Sequence, residues 1–381
     1  MNPLRIRFAL TLCVLIASIA AACAPSLPPT STPPSLPPEV SPTVAPTQMP
    51  ITLVDAAGQT VELKGPPSRV VLVGRAPYMG LHLLYLFPSA WDKLVGLEQK
   101  GPTPDDFLPY VDPNWSRKSI LAAGPNAEQI AALKPDLVLM KGFLVDGLSN
   151  TLAEVKIPSL YLALETPEQF YQDVINMGKV LGEPQRAEHV VSYYQERLER
   201  IKQRTADISE DQKPRVLLLE YTDRGGSLAV KVPARSWMQT IEVQLAGGHP
   251  LWLEQATQTD GWTVTNLEQV ALWNPDKIFL VITYTMNART IVARLKEDPL
   301  WSKLKAVQNN ELYAFPADLY GWDNADPRWI LGVNWLATRM YPERFSDIDM
   351  NAEIYQLFGL FGMDKAAVDE HIMPVVQMDV H

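Results

Sequence analysis

Residues 126–141, Asn-Ala-Glu-Gln-Ile-Ala-Ala-Leu-Lys-Pro-Asp-Leu-Val-Leu-Met-Lys, align without a gap on residues 266–281, Asn-Leu-Glu-Gln-Val-Ala-Leu-Trp-Asn-Pro-Asp-Lys-Ile-Phe-Leu-Val. The pairs Asn126/Asn266, Glu128/Glu268, Gln129/Gln269, Ala131/Ala271, Pro135/Pro275 and Asp136/Asp276 are identical. Each copy reads as an N-capped helix, a Pro-Asp turn and a buried strand. A single copy would fit any α/β protein. Two copies on either side of a long helix point to two similar lobes.

That helix is expected over residues 184–207. Ala187, Val190, Val191, Tyr194, Leu198 and Ile201 recur at spacings of three and four and form one apolar stripe. The opposite face is charged and alternates in sign, with Glu196 and Arg200 as a favourable i,i+4 pair.

The same reading divides the rest of the chain. Residues 1–23 carry Arg5 and Arg7, an apolar run and the small triplet Ala20-Ala21-Ala22 before Cys23, the pattern of an export signal. A small-residue triplet before cysteine resembles the bacterial lipoprotein box, in which Cys23 would be diacylated and anchor the protein to a membrane. Ala20 stands where that box usually has leucine, and ordinary signal cleavage is the alternative. Cys13 and Cys23 are the only cysteines, so a processed chain has no thiol for a disulfide or a nucleophile. Residues 24–50, rich in Pro, Ser and Thr, read as a disordered tether. Residues 51–183 form the expected N-terminal lobe, and residues 208–381 the C-terminal lobe with its terminal helices.

With 381 residues, a net charge of −10 and interspersed basic residues, the chain has nothing to follow a phosphate backbone, so no nucleic-acid partner is expected. A monomer is expected. No phosphate loop, no Gly-x-Ser-x-Gly elbow and no His-Glu-x-x-His helix occurs, and no catalytic residue is assigned.

Strands alternating with helices imply mainly parallel sheets in two Rossmann-like lobes, whose ligands sit beyond the carboxyl ends of the strands. The loops expected there are rich in aromatic and cationic residues. In the first lobe they bring Arg75, Tyr78, Lys141 and Phe143. In the second they bring Tyr221, Arg224, Arg235, Trp237, Tyr284, Tyr320 and Trp322. Such a cleft suits a bulky, partly planar ligand bearing negative charge. His82, one turn after Tyr78, is within reach of a metal or haem iron, but a lone histidine is more commonly structural and no metal ligand is assigned.

The signal with its cysteine, the strand–loop–helix start over 69–86, the 127–141 segment, the central helix and the Leu245-Ala-Gly-Gly248 stop resemble the periplasmic binding proteins of iron-siderophore, haem and cobalamin importers. The ending Trp322-Asp-Asn-Ala-Asp-Pro-Arg-Trp-Ile-Leu-Gly332 is similar to the branch with haem-type and molybdate or tungstate binders. The resemblance implies a single stiff helix joining the lobes and no cofactor or catalysis of the protein's own. It also implies an iron chelate (ferric siderophore, haem or corrinoid) as cargo, with a molybdate or tungstate oxyanion as the first alternative and a surface metal- or cofactor-dependent enzyme on the same scaffold as the second. Its partners would be an ABC permease and its ATPase. One acidic residue at the outer tip of each lobe would dock the permease, and the resemblance places these at Asp146 and Glu242.

Overall fold

The computed structural model describes residues 49–74, 76–99, 106–141, 147–222, 229–258, 261–282, 286–378 and 380–381. All belong to one compact unit, Gln48–His381. Cys23, Arg75, Phe143, Asp146, Arg224 and Tyr284 lie outside the described residues.

The chain enters through an antiparallel hairpin, β1 (Ile51–Val54) and β2 (Thr60–Leu63). Asp55 shapes its turn, accepting from the backbone N–H groups of Ala57 and Gln59, both at 2.9 Å. Its other oxygen accepts from Tyr161 N at 3.1 Å and ties the hairpin to the first sheet.

That sheet contains β3 (Val70–Gly74), β4 (Leu94–Glu98), β5 (Ser119–Leu121), β6 (Leu137–Lys141) and β7 (Ser159–Leu162) in the order β5-β4-β3-β6-β7. Every pairing in it is parallel. Helices cover both faces, so β3, and β6 up to its terminal Lys141, read as apolar runs, and both strands are buried throughout.

The second sheet contains β8 (Arg215–Thr222), β9 (Ala229–Val232), β10 (His249–Pro250), β11 (Thr263–Thr265), β12 (Lys277–Ile282) and β13 (Leu312–Ala314). Its order is β11-β9-β8-β12-β13, with β10 beside the start of β8. The β8, β12 and β13 core is parallel, but β9 turns back on β8 and β11 pairs antiparallel to β9. The residues after β9 therefore follow a returning strand and not the carboxyl end of a parallel one.

The two copies of the repeat occupy equivalent places. Asn126 and Asn266 each cap a helix, accepting from Gln129 N at 2.8 Å and Gln269 N at 2.9 Å, and these helices lead into the central strands β6 and β12. Asp136 and Asp276 receive the backbone of the other central strand of their sheet, from Arg69 N at 2.8 Å and Arg215 N at 3.0 Å. Both lobes are thus stapled by the same Pro-Asp turn.

A 22-residue helix, Pro184–Thr205, connects the two sheets over about 33 Å. Gly182, at φ +77°, ends the preceding helix, Pro167–Leu181. Tyr194, Phe170 and Trp329 pack together as the core of the junction, and the Tyr194 hydroxyl donates to Pro327 O at 2.7 Å. The charged face of this helix is not all solvated. Arg197 is buried and donates to Glu353 Oε2 at 2.6 Å, and Arg200 donates to Glu353 Oε1 at 2.8 Å.

Glu353 lies on the C-terminal helix Met350–Leu360, which reaches back to the first lobe. Phe107 packs edge-on against Phe358 and Phe361, at ring distances of 5.3 and 4.7 Å. Tyr110 stacks on His371 at 3.7 Å with the rings 4° apart.

Candidate functional site between the lobes

The cleft side of the first lobe is built from the ends of β3, β4 and β6. Gly74 closes β3 at φ +104°, in the region where a side chain is disfavoured, and a Cβ there would lie 3.3 Å from Lys141 O. Glu98, at the end of β4, accepts from Gly74 N at 2.6 Å and from Gly124 N at 2.8 Å, so one buried carboxylate fixes two strand-end loops. Ala76 takes the left-handed conformation and starts the helix Pro77–Tyr85, which presents Tyr78 and His82 on adjacent turns. Lys141 ends β6 and donates to Glu165 at 2.6 Å.

The facing side of the second lobe is the segment from Phe315 to Arg328. Asp318 accepts from Arg328 Nε through both oxygens, at 2.9 and 3.0 Å, and from Trp322 Nε1 at 2.9 Å. Arg328 Nη1 reaches both oxygens of Asp326, at 3.0 and 3.1 Å. Asp318, Asp326 and Arg328 have no exposed side-chain surface.

The two sides meet directly. Tyr78 stacks on Tyr320, with ring centroids 5.0 Å apart and planes 13° from parallel, and its hydroxyl donates to Asn324 Oδ1 at 3.3 Å. His82 Nδ1 lies against Asp326 Oδ2 and 3.2 Å from Arg328 Nη1, while Nε2 is 3.5 Å from Asp106 Oδ1. The His82 ring also meets Tyr320 edge-on at 4.9 Å.

Burial alone would raise the Asp326 carboxyl, but Arg328 and His82 hold it down at about 2. Asp323, which accepts from Gln239 Nε2 at 3.2 Å, lacks such a cation, and burial pushes it up to about 6. Burial, reinforced by Asp326, raises the Tyr78 hydroxyl as well.

Of the aromatic and cationic residues read from the sequence, the structure brings Tyr78 and Tyr320 together at the lobe boundary. Tyr221 and Trp322 are core residues. Both are fully buried, the first accepting from Arg294 Nη2 at 2.5 Å and the second held by Asp318. Arg235 follows the returning strand β9 and braces a turn, donating to Ala256 O at 3.1 Å and Glu254 O at 3.3 Å. Trp237 packs at right angles to Trp262, 5.9 Å away.

Glu242, expected on an outer tip, is fully buried on the helix Met238–Leu245. Both its oxygens lack a hydrogen-bond partner, and burial raises its carboxyl well above the ordinary range. A residue with no exposed surface does not meet a permease arginine.

The residues that sequence reasoning passed over are Asp326, Arg328 and Asn324. The only local signal was their density in Trp322-Asp-Asn-Ala-Asp-Pro-Arg328. Among the described residues, no group of three or more His, Cys, Asp or Glu side chains is placed to hold a metal ion. Among the same residues, no helix is long and apolar enough to cross a membrane.

Residues 101–319, more than half of the chain, match the model of the periplasmic binding protein family. The chain belongs to that family. Its relatives differ in what their names say they bind. The molybdate-binding protein MolA of Haemophilus influenzae is 23% identical over 62% of this chain and 69% of its own. The solved structure of MolA bound to molybdate superposes with a TM-score of 0.67 at 18% identity, covering 82% of this chain and 98% of that one. An uncharacterised ABC transporter substrate-binding lipoprotein, YvrC of Bacillus subtilis, is 25% identical over 78% of this chain and 88% of its own. The Fe(3+)-citrate-binding protein YfmC of the same organism is 24% identical over 70% and 78%. These likenesses bear out the two-lobe α/β fold and the family expected from the sequence.

Proposed function

We propose that this periplasmic binding protein is the extracytoplasmic substrate-binding subunit of an ABC importer, that it has no catalysis of its own, and that it captures an iron chelate between its lobes. The chelate class comprises ferric siderophores, haem and corrinoids. The observation that carries the reading is the Tyr78–Tyr320 pair, an aromatic contact shared by both lobes in which Tyr320 is buried and Tyr78 half-buried. The described cations beside it are already paired, Lys141 with Glu165 and Arg328 with Asp318 and Asp326. Such a site favours a ligand held over a flat face above a small tetrahedral anion, which needs uncommitted donors. The iron-binding name of YfmC supports this reading, and the name of MolA supports the oxyanion alternative.

The same proposal has the chain exported, acylated at Cys23 and delivering its ligand to a permease driven by a separate ATPase. The lipoprotein name of YvrC supports it. Tryptophan-fluorescence titration with ferric citrate, a catecholate ferric siderophore, haem and molybdate tests the ligand class. Saturable quenching by an iron chelate is expected. Tight quenching by molybdate with no response to the chelates would overturn the proposal in favour of the oxyanion.

A further inference from the structure

The contacts that join the lobes at the cleft are mostly polar, and they converge on one ring. His82 comes from the first lobe, and its nitrogens face Asp326 and Asp106 while its edge meets Tyr320. Asp326 is held by Arg328, and Arg328 by Asp318, so the ring is the first member of a buried chain that ends in the second lobe. The Arg328 guanidinium is also 5.1 Å from the Phe107 ring, 5.3 Å from Tyr320 and 5.5 Å from Phe358, which closes the cluster off from solvent. His82, Asp326 and Arg328 lie outside residues 101–319, so the family match does not account for them.

Burying four charged or polar groups costs free energy that a well-packed apolar contact would not. Such a cluster does confer direction. Arg328 Nε and Nη1 each straddle one carboxylate at 2.9 to 3.1 Å while buried Nη2 has no hydrogen-bond partner among the described residues, and a slipped docking of the lobes would leave further charges unpaired in a dry environment. An apolar interface would tolerate such slippage far better. A polar interface also parts differently, because water satisfies each group as the lobes separate.

From this geometry we propose that His82 is the positioning residue of the ligand cleft. Through Asp326 and Arg328 it draws the second lobe's loop onto the Pro77–Tyr85 helix and fixes Tyr78 in stack with Tyr320, the surface the ligand meets. The inference rests on the reading that ligand binds between the lobes, but its first test does not need ligand.

The experiment uses the full chain with Cys13 and Cys23 replaced by serine. Spin labels are placed on cysteines introduced at Glu154 and Lys303, exposed positions of the two lobes. The native background is expected to give one narrow interlobe distance. His82→Leu and Asp326→Asn should broaden it and add a separate population, and His82→Gln, which keeps a donor toward Asp326, should fall between. If the well-docked fraction drops to about a tenth, ferric citrate affinity falls about tenfold.

Near-UV circular dichroism identifies folded variants. If His82→Leu does not fold, His82→Gln and Asp326→Asn decide the question. Unchanged distances in every folded variant would overturn the inference, and so would loss of ferric citrate binding with unchanged distances, which would mark His82 as a direct ligand contact. Failure of the native protein to respond to ferric citrate would count against the proposed ligand alone, and the distance measurement would still decide the role of His82.

Discussion

Arg197 of the connecting helix and Glu353 of the C-terminal helix meet at 2.6 Å with both side chains buried. Arg200 takes the other oxygen of the same carboxylate, and the Arg197 guanidinium lies 3.4 Å from the centre of the Tyr193 ring. One carboxylate therefore serves two arginines and ties the connecting helix to the helix Met350–Leu360. Glu353→Leu leaves two cations uncompensated, one of them buried, and is expected to cost about 3–5 kcal/mol in denaturant unfolding. Adding Arg197→Met should recover part of that loss, because the charge most deeply buried is then gone.

Glu242 gives a prediction of the opposite sign. Its carboxyl is fully buried with neither oxygen hydrogen-bonded, and burial, with a contribution from Asp323, raises it well above the ordinary carboxylate range. Glu242→Met removes the unsatisfied group at similar volume and is expected to stabilise the fold by about 1–3 kcal/mol, read as a raised urea midpoint with unchanged slope.

The carboxyl of Asp323 makes stability depend on pH. Burial raises its folded value to about 6, against roughly 3.9 unfolded, so the folded state binds the extra proton between those limits. Stability from this group is therefore full below about pH 4 and is lost as pH rises through about 6, by about 3 kcal/mol at most. Asp323→Asn should flatten the stability profile over that window and exceed the native protein at pH 7. An unchanged profile would remove Asp323 as its source.

The duplicated caps allow an internal comparison. Asn126 and Asn266 make the same bond to the third helical residue, and Asn126 in addition receives Gln129 Oε1 on its own N–H at 2.9 Å. Each alanine replacement is expected to cost about 1 kcal/mol, with Asn126→Ala the smaller because the backbone N–H of residue 126 survives the substitution and still donates to Gln129 Oε1. Thermal unfolding of the two single variants checks the order.

For the ligand, Tyr320→Phe keeps the stacked face and is expected to bind iron chelate within about twofold of native. Tyr320→Ala removes the face, and a stacking contribution of about 0.5–1.5 kcal/mol corresponds to a loss of roughly two- to tenfold. Fluorescence titration with haem, the planar member of the class, distinguishes these outcomes.

What the sequence made legible was local. The caps, the Pro-Asp turns and the apolar runs of β3, β6 and β12 are set by neighbours within about a dozen residues, and the structure places them as expected. The antiparallel course of β9 was not legible, because a short apolar run looks the same in either direction. The buried pairing of Arg197 was not legible because its partner lies 156 positions away. The cluster at the cleft escaped for the same reason, since 244 positions separate His82 from Asp326. Tyr221 and Trp322 show the limit of reading aromatics from loops: an indole or phenol with one buried partner is as content in the core as against a ligand.

The return of the C-terminal helix has a consequence for how the protein is made. Phe107 and Tyr110 have as partners Phe358, Phe361 and His371, which are synthesised about 250 residues later. A nascent chain emerging amino end first cannot complete these contacts of its first lobe until residues 358–371 have also emerged. Its early half carries an uncovered aromatic patch throughout that interval, and contacts of such long sequence separation are slow to form. Delayed folding of this kind keeps a chain threadable, which is what passage through an export channel requires.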